Sequence, residues 1–151
     1  MYKQILILRK DLGMSLGKVC AQVSHASMAF LTNMIRKNSR QWISSLEHST
    51  YYSSELTFDK DLYEQWINGE FTKCVLQAKN KNQLLKAKTM AEEMGMTEGE
   101  DFFCIYDSCR TELEPEFTDE NGIGRTLTCI GFRPMESEII DKIGKKYHLY
   151  M

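Results

Sequence analysis

Apolar and polar positions follow two different periods along this chain, and the changes of period mark its elements. The uninterrupted apolar run Ile5-Leu6-Ile7-Leu8 predicts a buried first strand over residues 2–8. From about Gly17 to about Asn38 the apolar residues recur every three to four positions, which predicts a long helix. The stripe of this helix expected to pack on a sheet consists of Val19, Val23, Ala26 and Phe30.

Three further strands and three further helices follow from the same patterns. Strands are predicted over residues 72–78, 101–106 and 126–132. A helix is expected from a cap at Asn80 or Asn82 to Met94-Gly95, and another after Pro134 with Gly144 as its stop. Residues 39–57 have weak periodicity and are interpreted as a long connection before a short helix over 58–68, capped by Thr57 or Asp59.

The order strand, helix, strand, helix, strand implies right-handed crossovers between parallel strands. The fourth strand is reached by a loop and is therefore expected to be antiparallel. We predict an α/β fold, a three-layer domain with a four-stranded mixed β-sheet flanked by helices. At 151 residues, the chain is expected to form a single domain over 1–151.

Composition narrows the class of protein. Hydrophobic residues make up 42% and charged residues 26%, as is ordinary for a globular domain. No apolar run is long enough to cross a membrane, and the first strand begins too early for a signal peptide, so a cytoplasmic location is expected. The five cysteines contain no C-x-x-C pair, and neither a metal site nor a disulfide framework is expected.

Charge is unevenly distributed along a chain whose net charge is −2. Residues 1–45 hold seven basic residues and one acidic residue, whereas the remainder holds twelve basic and twenty acidic residues. Two interpretations stay open: the basic third forms one anion-binding face, or the fold disperses these charges.

A polar stripe of the long helix is a candidate site. Lys18, Gln22 and His25 share one face at spacings of four and seven residues. Ligands of open α/β sheets gather beyond the carboxyl ends of parallel strands, where residues 107–111 also leave the sheet. The alternative is that these are ordinary surface side chains. Gly13-x-x-x-Gly17-Lys18 is not a phosphate-binding P-loop, because the spacing is one residue short and Val19 replaces the hydroxyl residue.

Two cysteines are candidate nucleophiles. Cys20 and His25 lie five residues apart and point in different directions on a helix, so Cys20 is expected to be a packing residue. Cys109 lies in the proposed site loop, where an exposed thiol would be available for reaction.

Several motifs resemble those of the type 2 peptidyl-tRNA hydrolases, the archaeal and eukaryotic kind. The opening motif is Asp11-Leu12-x-Met14-x-x-Gly17-Lys18-Val19-x-Ala21-Gln22-x-Ser24-His25-Ala26. Asp107-Ser108-Cys109-Arg110-Thr111 is similar to the family's Asp-Ala-Gly-x-Thr segment. The strand at Thr126–Gly131 and the stretch from Ile140 to Tyr150 also match. The resemblance spans most of the chain except about residues 45–70, which look like an insertion.

The resemblance implies hydrolysis of the ester that joins a peptide to its tRNA, without a cofactor or metal. It implies that Lys18, Asp107, Thr111 and Thr126 are catalytic. Gln22, His25, Gly17 and Arg110 are expected to bind the substrate. tRNA or peptidyl-tRNA is the expected partner, and a homodimer is possible because dimers are common in the family.

The chain departs from the family pattern at three sites and by two apparent insertions. Cys109 replaces a glycine, Glu112 replaces a glutamine, and Phe132-Arg133-Pro134 replaces a Gly-Pro turn. The insertion at 45–70 and the acidic loop at 112–120, with five acids and no base, are additional. These departures keep two alternatives open: a non-catalytic member that binds RNA or protein, and a hydrolase of some other small acyl ester or amide.

Overall fold

The computed structural model describes all 151 residues, which form nine strands and four α-helices. The strands are Tyr2–Arg9 (β1), Ser39–Ile43 (β2), Thr50–Ser54 (β3), Lys73–Ala78 (β4), Phe102–Asp107 (β5), Phe117–Thr118 (β6), Gly124–Phe132 (β7), Met135–Glu136 (β8) and His148–Leu149 (β9). The helices are Leu16–Lys37 (α1), Lys60–Leu62 (α2), Lys81–Glu93 (α3) and Ser137–Gly144 (α4). A π-helical segment, Tyr63–Glu70, continues directly from α2.

The main sheet has the order β5-β7-β1-β4-β9, with β6 paired to β7 and β8 paired to β1. The predicted α/β class and mixed sheet are confirmed, but the sheet has seven strands rather than four. The extra strands β6, β8 and β9 contain two residues each and exist only because neighbouring strands supply their hydrogen bonds. No sequence period can mark an element that short.

The side chains of β1 point alternately to the two faces of the sheet. Ile5 and Ile7 pack in the cluster that contains the buried residues of α3 and α4. Leu6 and Leu8 point to the other face, where they pack with Ala26 of α1. The sheet therefore lies between α1 on one side and the α3–α4 pair on the other, because successive side chains of a strand point to opposite faces.

The strand directions create one functional edge. β1 and β4 are parallel, and β7 runs antiparallel between β5 and β1. The carboxyl ends of β1, β4 and β5 consequently meet the amino end of β7 at one edge, which we call the carboxyl edge. The turn into α1 and the loop after Asp107 both leave the sheet there.

The predicted long connection at residues 39–57 is wrong. β2 and β3 form a separate antiparallel hairpin whose two strands pair only with each other. Almost all of its residues are exposed, so no inward-facing apolar period exists to reveal it in the sequence. The predicted helix that follows is present, with the Asp59 carboxylate accepting the N–H of Leu62 at 2.9 Å as its cap. No helix of the protein combines the length and apolarity that a membrane crossing requires.

Candidate active site

The first turn of α1 presents Lys18 to the carboxyl edge. Ser15 is the N-cap, and its hydroxyl accepts the N–H of Lys18 at 3.3 Å. The Lys18 ammonium lies 2.7 Å from Oδ1 of Asp107 and donates to the Thr111 hydroxyl at 3.3 Å. These two partners belong to the end of β5 and the loop that follows it. Residues about 90 positions apart in sequence therefore form one cluster, as the strand-edge rule predicts.

Asp107 is the centre of this cluster. Oδ1 also accepts from the Gln22 amide at 3.1 Å, and Oδ2 accepts from the N–H of Cys109 at 2.9 Å. Burial by itself raises the pKa of the Asp107 carboxyl, but the hydrogen bonds from Lys18, Cys109 and Gln22, with the charge of Lys18, outweigh it. The pKa of Asp107 is therefore lowered, and its carboxyl is ionised at neutral pH.

Thr128 orients Gln22, a role that the sequence pattern did not predict. Its hydroxyl donates to Oε1 of Gln22 at 2.5 Å, which leaves the Gln22 amide N–H free to bind Asp107. The pairing of β5 with β7 shifts register after Ile105, so that Thr128 stands as an extra residue on the β7 side. The spacing did contain a signal, because Thr128 lies two positions from Thr126 and so shares its face in a strand.

The backbone at Cys109 explains why this position suits glycine. Its φ is +55°, in the left-handed region that non-glycine residues seldom adopt. This conformation turns the Cys109 N–H back onto Asp107, and the Cys109 sulfur lies 3.3 Å from the hydroxyl of Thr126. The glycine-to-cysteine departure therefore costs conformational strain while the hydrogen bond to Asp107 is kept.

Thr126 lies opposite Asp107 in the β5–β7 ladder and is fully buried. Its hydroxyl donates to the carbonyl of Glu114 at 2.6 Å. The side chain therefore supports the loop after β5 and exposes no surface to a ligand, although the resemblance implied a catalytic role for Thr126. Asp107, which contacts Lys18 directly, retains 8% of its surface exposed.

Glu112 ties this loop to α1, a contact that no sequence pattern indicated. Its carboxylate accepts from the N–H of Ser15 at 2.9 Å and from the Ser15 hydroxyl. These hydrogen bonds lower the pKa of Glu112. Thr111 lies next to this attachment point, so the loop is held where Thr111 meets Lys18.

The acidic loop carries less free negative charge than its composition suggests. The Glu116 carboxylate lies 2.8 Å from the buried Arg9 guanidinium and 3.5 Å from the Lys81 ammonium. Asp119 is paired with Arg125 at 2.9 Å. Because three of its five acids are bound to cations or to a helix terminus, the loop does not present a uniform acidic surface to the carboxyl edge.

The remaining predicted residues lie outside this network. His25 is exposed on α1, and none of the hydrogen bonds around Asp107 involves it. Arg110 is exposed beside Thr111. Gly17 lies in the first turn of α1, and a β-carbon added there would meet nothing within 4 Å. Cys20, which we expected to pack, is instead exposed.

The cluster is suited to acyl transfer to water. A partly buried ammonium can stabilise a developing oxyanion, and a carboxylate and a hydroxyl beside it can orient water or substrate. No group of three or more histidine, cysteine or acidic side chains is placed to hold a metal ion.

Comparison with known proteins identifies close similarity over the whole chain. The family model described as "Peptidyl-tRNA hydrolase PTH2" matches residues 2–150. A peptidyl-tRNA hydrolase from Sulfolobus acidocaldarius is 30% identical over 142 residues, covering 93% of each chain. One from Thermoplasma acidophilum is 28% identical over 147 residues, covering 97% of each chain. A solved structure of a protein of unknown function from Agrobacterium tumefaciens C58 superposes with a TM-score of 0.50 over 99% of this chain and 98% of that one, at 12% identity, and so shows the fold alone.

Proposed function

The chain belongs to the peptidyl-tRNA hydrolase PTH2 family, and from that premise we propose that it hydrolyses peptidyl-tRNA at the Lys18–Asp107 cluster. The observation that carries the proposal is the 2.7 Å contact between these two side chains at an open sheet edge. It places a fixed cation beside a carboxylate where a carbonyl carbon and a water can meet.

In this mechanism, water adds to the carbonyl carbon of the ester. The carbonyl oxygen gains negative charge, which the Lys18 ammonium stabilises. The bond from this carbon to the ribose oxygen then breaks, so that the hydroxyl of water remains on the peptide and its other proton reaches the ribose oxygen. Asp107 has a lowered pKa, so its role is to hold Lys18 and position the water.

The other predicted residues divide into ligand contacts and supports. Thr111 and Arg110 lie on the exposed side of the loop and are proposed to contact the ester end of the tRNA. Gly17 leaves open space for the substrate at the first turn of α1. Gln22, Thr126 and Thr128 are buried and keep Asp107 and its loop in position. His25 is exposed and is proposed to contact RNA rather than to act as a base.

Neither earlier alternative is favoured by a structural observation. The non-catalytic hypothesis rested on the acidic loop and the insertion, yet two of the loop's five acids, Glu116 and Asp119, are paired with cations. The homodimer rests on the family resemblance and the cytoplasmic location on the sequence pattern, and both stay predictions.

The test of this function is the replacement Lys18→Gln, assayed with N-acetylaminoacyl-tRNA. Loss of the ammonium should lower kcat by roughly 10²–10³-fold, the usual effect of removing one oxyanion-stabilising group. Arg36→Gln, which removes an exposed charge at the other end of the same helix, is the control and should keep kcat. Hydrolysis by the Lys18→Gln protein at the parent rate would remove Lys18 from the mechanism.

A further inference from the structure

The basic residues of the N-terminal third do not form a free anion-binding face. Lys3, Arg9, Lys18 and Lys37 are each within ion-pair distance of a carboxylate, and Arg9 is buried as well. Only three of the seven bases there lack a carboxylate partner, and two of these lie at the far end of α1 from Lys18. Another surface must supply the positive charge that a polyanionic substrate requires.

Unpaired lysines instead gather on the side of the sheet opposite α1. Five exposed lysines on or beside α3 and α4 have no carboxylate within 4.0 Å of their ammonium groups. They are Lys79, Lys86, Lys142, Lys145 and Lys146.

Between α3 and the end of α4 lies a groove of about 440 Å³. Six residues line it, and none of them is acidic: Gln83, Lys86, Thr89, Met90, Lys146 and Tyr147. Lys146 also lines a second cavity of about 490 Å³ with Lys142 and Lys145, where Glu138 and Asp141 offset part of the positive charge. We refer to the first cavity as the lysine groove.

The polar side chains of the lysine groove divide into groups that are free to donate to a ligand and hydroxyls whose protons are already used. Oε1 of Gln83 accepts the N–H of Lys79. The amide nitrogen Nε2 of Gln83 therefore remains free to donate to a ligand. The Thr89 hydroxyl already donates to the carbonyl of Leu85 at 3.2 Å. The Tyr147 hydroxyl likewise donates to the carbonyl of Gln83 at 2.7 Å. Two ammonium groups and an amide N–H without a facing carboxylate select an anionic oxygen ligand.

We propose that the lysine groove binds the phosphate backbone of the substrate tRNA while its acylated end occupies the Lys18–Asp107 cluster. This proposal rests on the proposed function. Lys79, at the carboxyl edge directly after β4, continues the positive surface from the groove towards that cluster. Three strand spacings, about 14 Å, separate β4 from β5, so Lys79 and the Lys18–Asp107 cluster lie at the same edge of the sheet.

The charge elsewhere supports this choice of surface. Residues 46–72 hold six acidic residues and one basic residue, so this segment offers no alternative positive surface for a polyanion. Lys81, at the start of α3, already lies 3.5 Å from Glu116 of the loop that closes the site. This ion pair thereby links the start of α3 to the loop that carries Thr111.

The experiment compares two double variants with the same change in net charge. Lys86→Gln with Lys146→Gln removes the groove charges, and Arg36→Gln with Arg40→Gln removes two exposed, unpaired charges at the other end of α1. Affinity for deacylated tRNA is measured from 50 to 300 mM salt, with circular dichroism to confirm folding. Binding of deacylated tRNA needs no turnover, so the result stands whether or not the proposed function holds.

The groove variant should bind tRNA at least roughly tenfold more weakly at 0.1 M salt, with a salt slope lower by about 1–2 units. Its KM for peptidyl-tRNA should rise with kcat unchanged, and its hydrolysis of N-acetylaminoacyl-adenosine should equal that of the parent. The Arg36/Arg40 variant should keep the parent affinity and slope.

Two results would overturn the proposal. One is an unchanged salt slope in the groove variant, and the other is an equal loss in both variants. If the groove variant loses affinity for poly-glutamate but keeps its tRNA affinity, the groove serves an acidic polypeptide instead. Failure of the parent to hydrolyse both peptidyl-tRNA and the adenosine ester would count against the proposed function, separately from the binding result.

Discussion

At the scale of single residues, Asp107 joins the two halves of the candidate site. It receives hydrogen bonds from a lysine and a glutamine of α1 and from a backbone N–H of its own loop. The side chains of Lys18 and Asp107 were identifiable from the sequence because both follow strands that end at one edge. The N–H of Cys109 was not identifiable, because backbone groups are the same at every position and only the local φ directs them.

The effect of Asp107 on stability should depend on pH. Its pKa is lowered in the folded protein, so its stabilising contribution is complete above about pH 4–5 and is lost as the pH falls through the folded-state value. Asp107→Asn should cost roughly 1–3 kcal/mol at pH 7, because the half-buried Lys18 ammonium loses its partner. Urea unfolding from pH 7 to pH 2 should show the parent and variant curves converging at acid pH. Parallel curves would mean that the pair does not contribute through ionisation.

Cys109→Gly should stabilise the protein by about 1 kcal/mol, because glycine adopts a φ of +55° without the cost borne by other residues. The N–H that holds Asp107 is unchanged, so kcat should stay at the parent value. Cys109→Ala is the matched control, since it removes the thiol but keeps the strained φ, and it should give no gain in stability. The measurement is the midpoint of urea unfolding, and equal stability of the two variants would show that the thiol rather than φ decides the effect.

At the scale of elements, the long periodic segments were predictable and the short or exposed ones were not. β1, α1, β4, α3 and β7 all bury a continuous face, and burial is what creates a period in the sequence. The hairpin β2–β3 buries almost nothing, and the bulge at Thr128 depends on the partner strand β5. Thus the residues that hold Gln22 in place could not be assigned without knowing the register of the sheet.

The packing of α1 on β7 depends on Gly131. A β-carbon at this position would lie 2.3 Å from the carbonyl oxygen of Ala26 and 2.9 Å from its β-carbon. Gly131→Ala should therefore push α1 away from the sheet and destabilise the protein by roughly 3 kcal/mol or more. Chemical unfolding gives this value.

Gly17→Ala, in α1 itself, is the contrasting control for Gly131→Ala. Nothing lies within 4 Å of the methyl group that this replacement adds. It should raise stability by about 0.5–1 kcal/mol, since alanine favours the helix over glycine. Its kcat/KM should nevertheless fall if the substrate approaches this turn. A destabilised Gly17→Ala protein, or a fully stable Gly131→Ala protein, would contradict this account of α1.

At the scale of the whole molecule, the fold consists of the main α/β body and one appended hairpin, β2–β3. The hairpin β2–β3 pairs with no strand of the main sheet, and two of its contacts with the body are hydrogen bonds to the carbonyl of Ile35. Its base is closed by Ser39 and Ser54, which lie opposite each other in the antiparallel ladder.

Replacing residues 40–53 by a two-residue Asn-Gly turn should therefore leave the fold and the hydrolysis of peptidyl-tRNA intact. Asn-Gly suits a tight turn between paired antiparallel residues. Thermal unfolding should shift by only a few degrees, because little apolar surface is lost from the core. A collapse of kcat with normal folding would show instead that the hairpin takes part in catalysis.

The central position of β7 also determines when the protein can fold. β7 pairs with β1 through Leu6 and Gly131, near the two ends of the chain, and β5 reaches the rest of the sheet only through β7. During synthesis, Lys18 is made early but has no Asp107 to meet in a stable sheet until residue 132 has been added. Assembly is thus dominated by the closure of a very long loop, which places the chain among the slower-folding small domains. The enzyme gains its active site only when nearly the entire polypeptide is present.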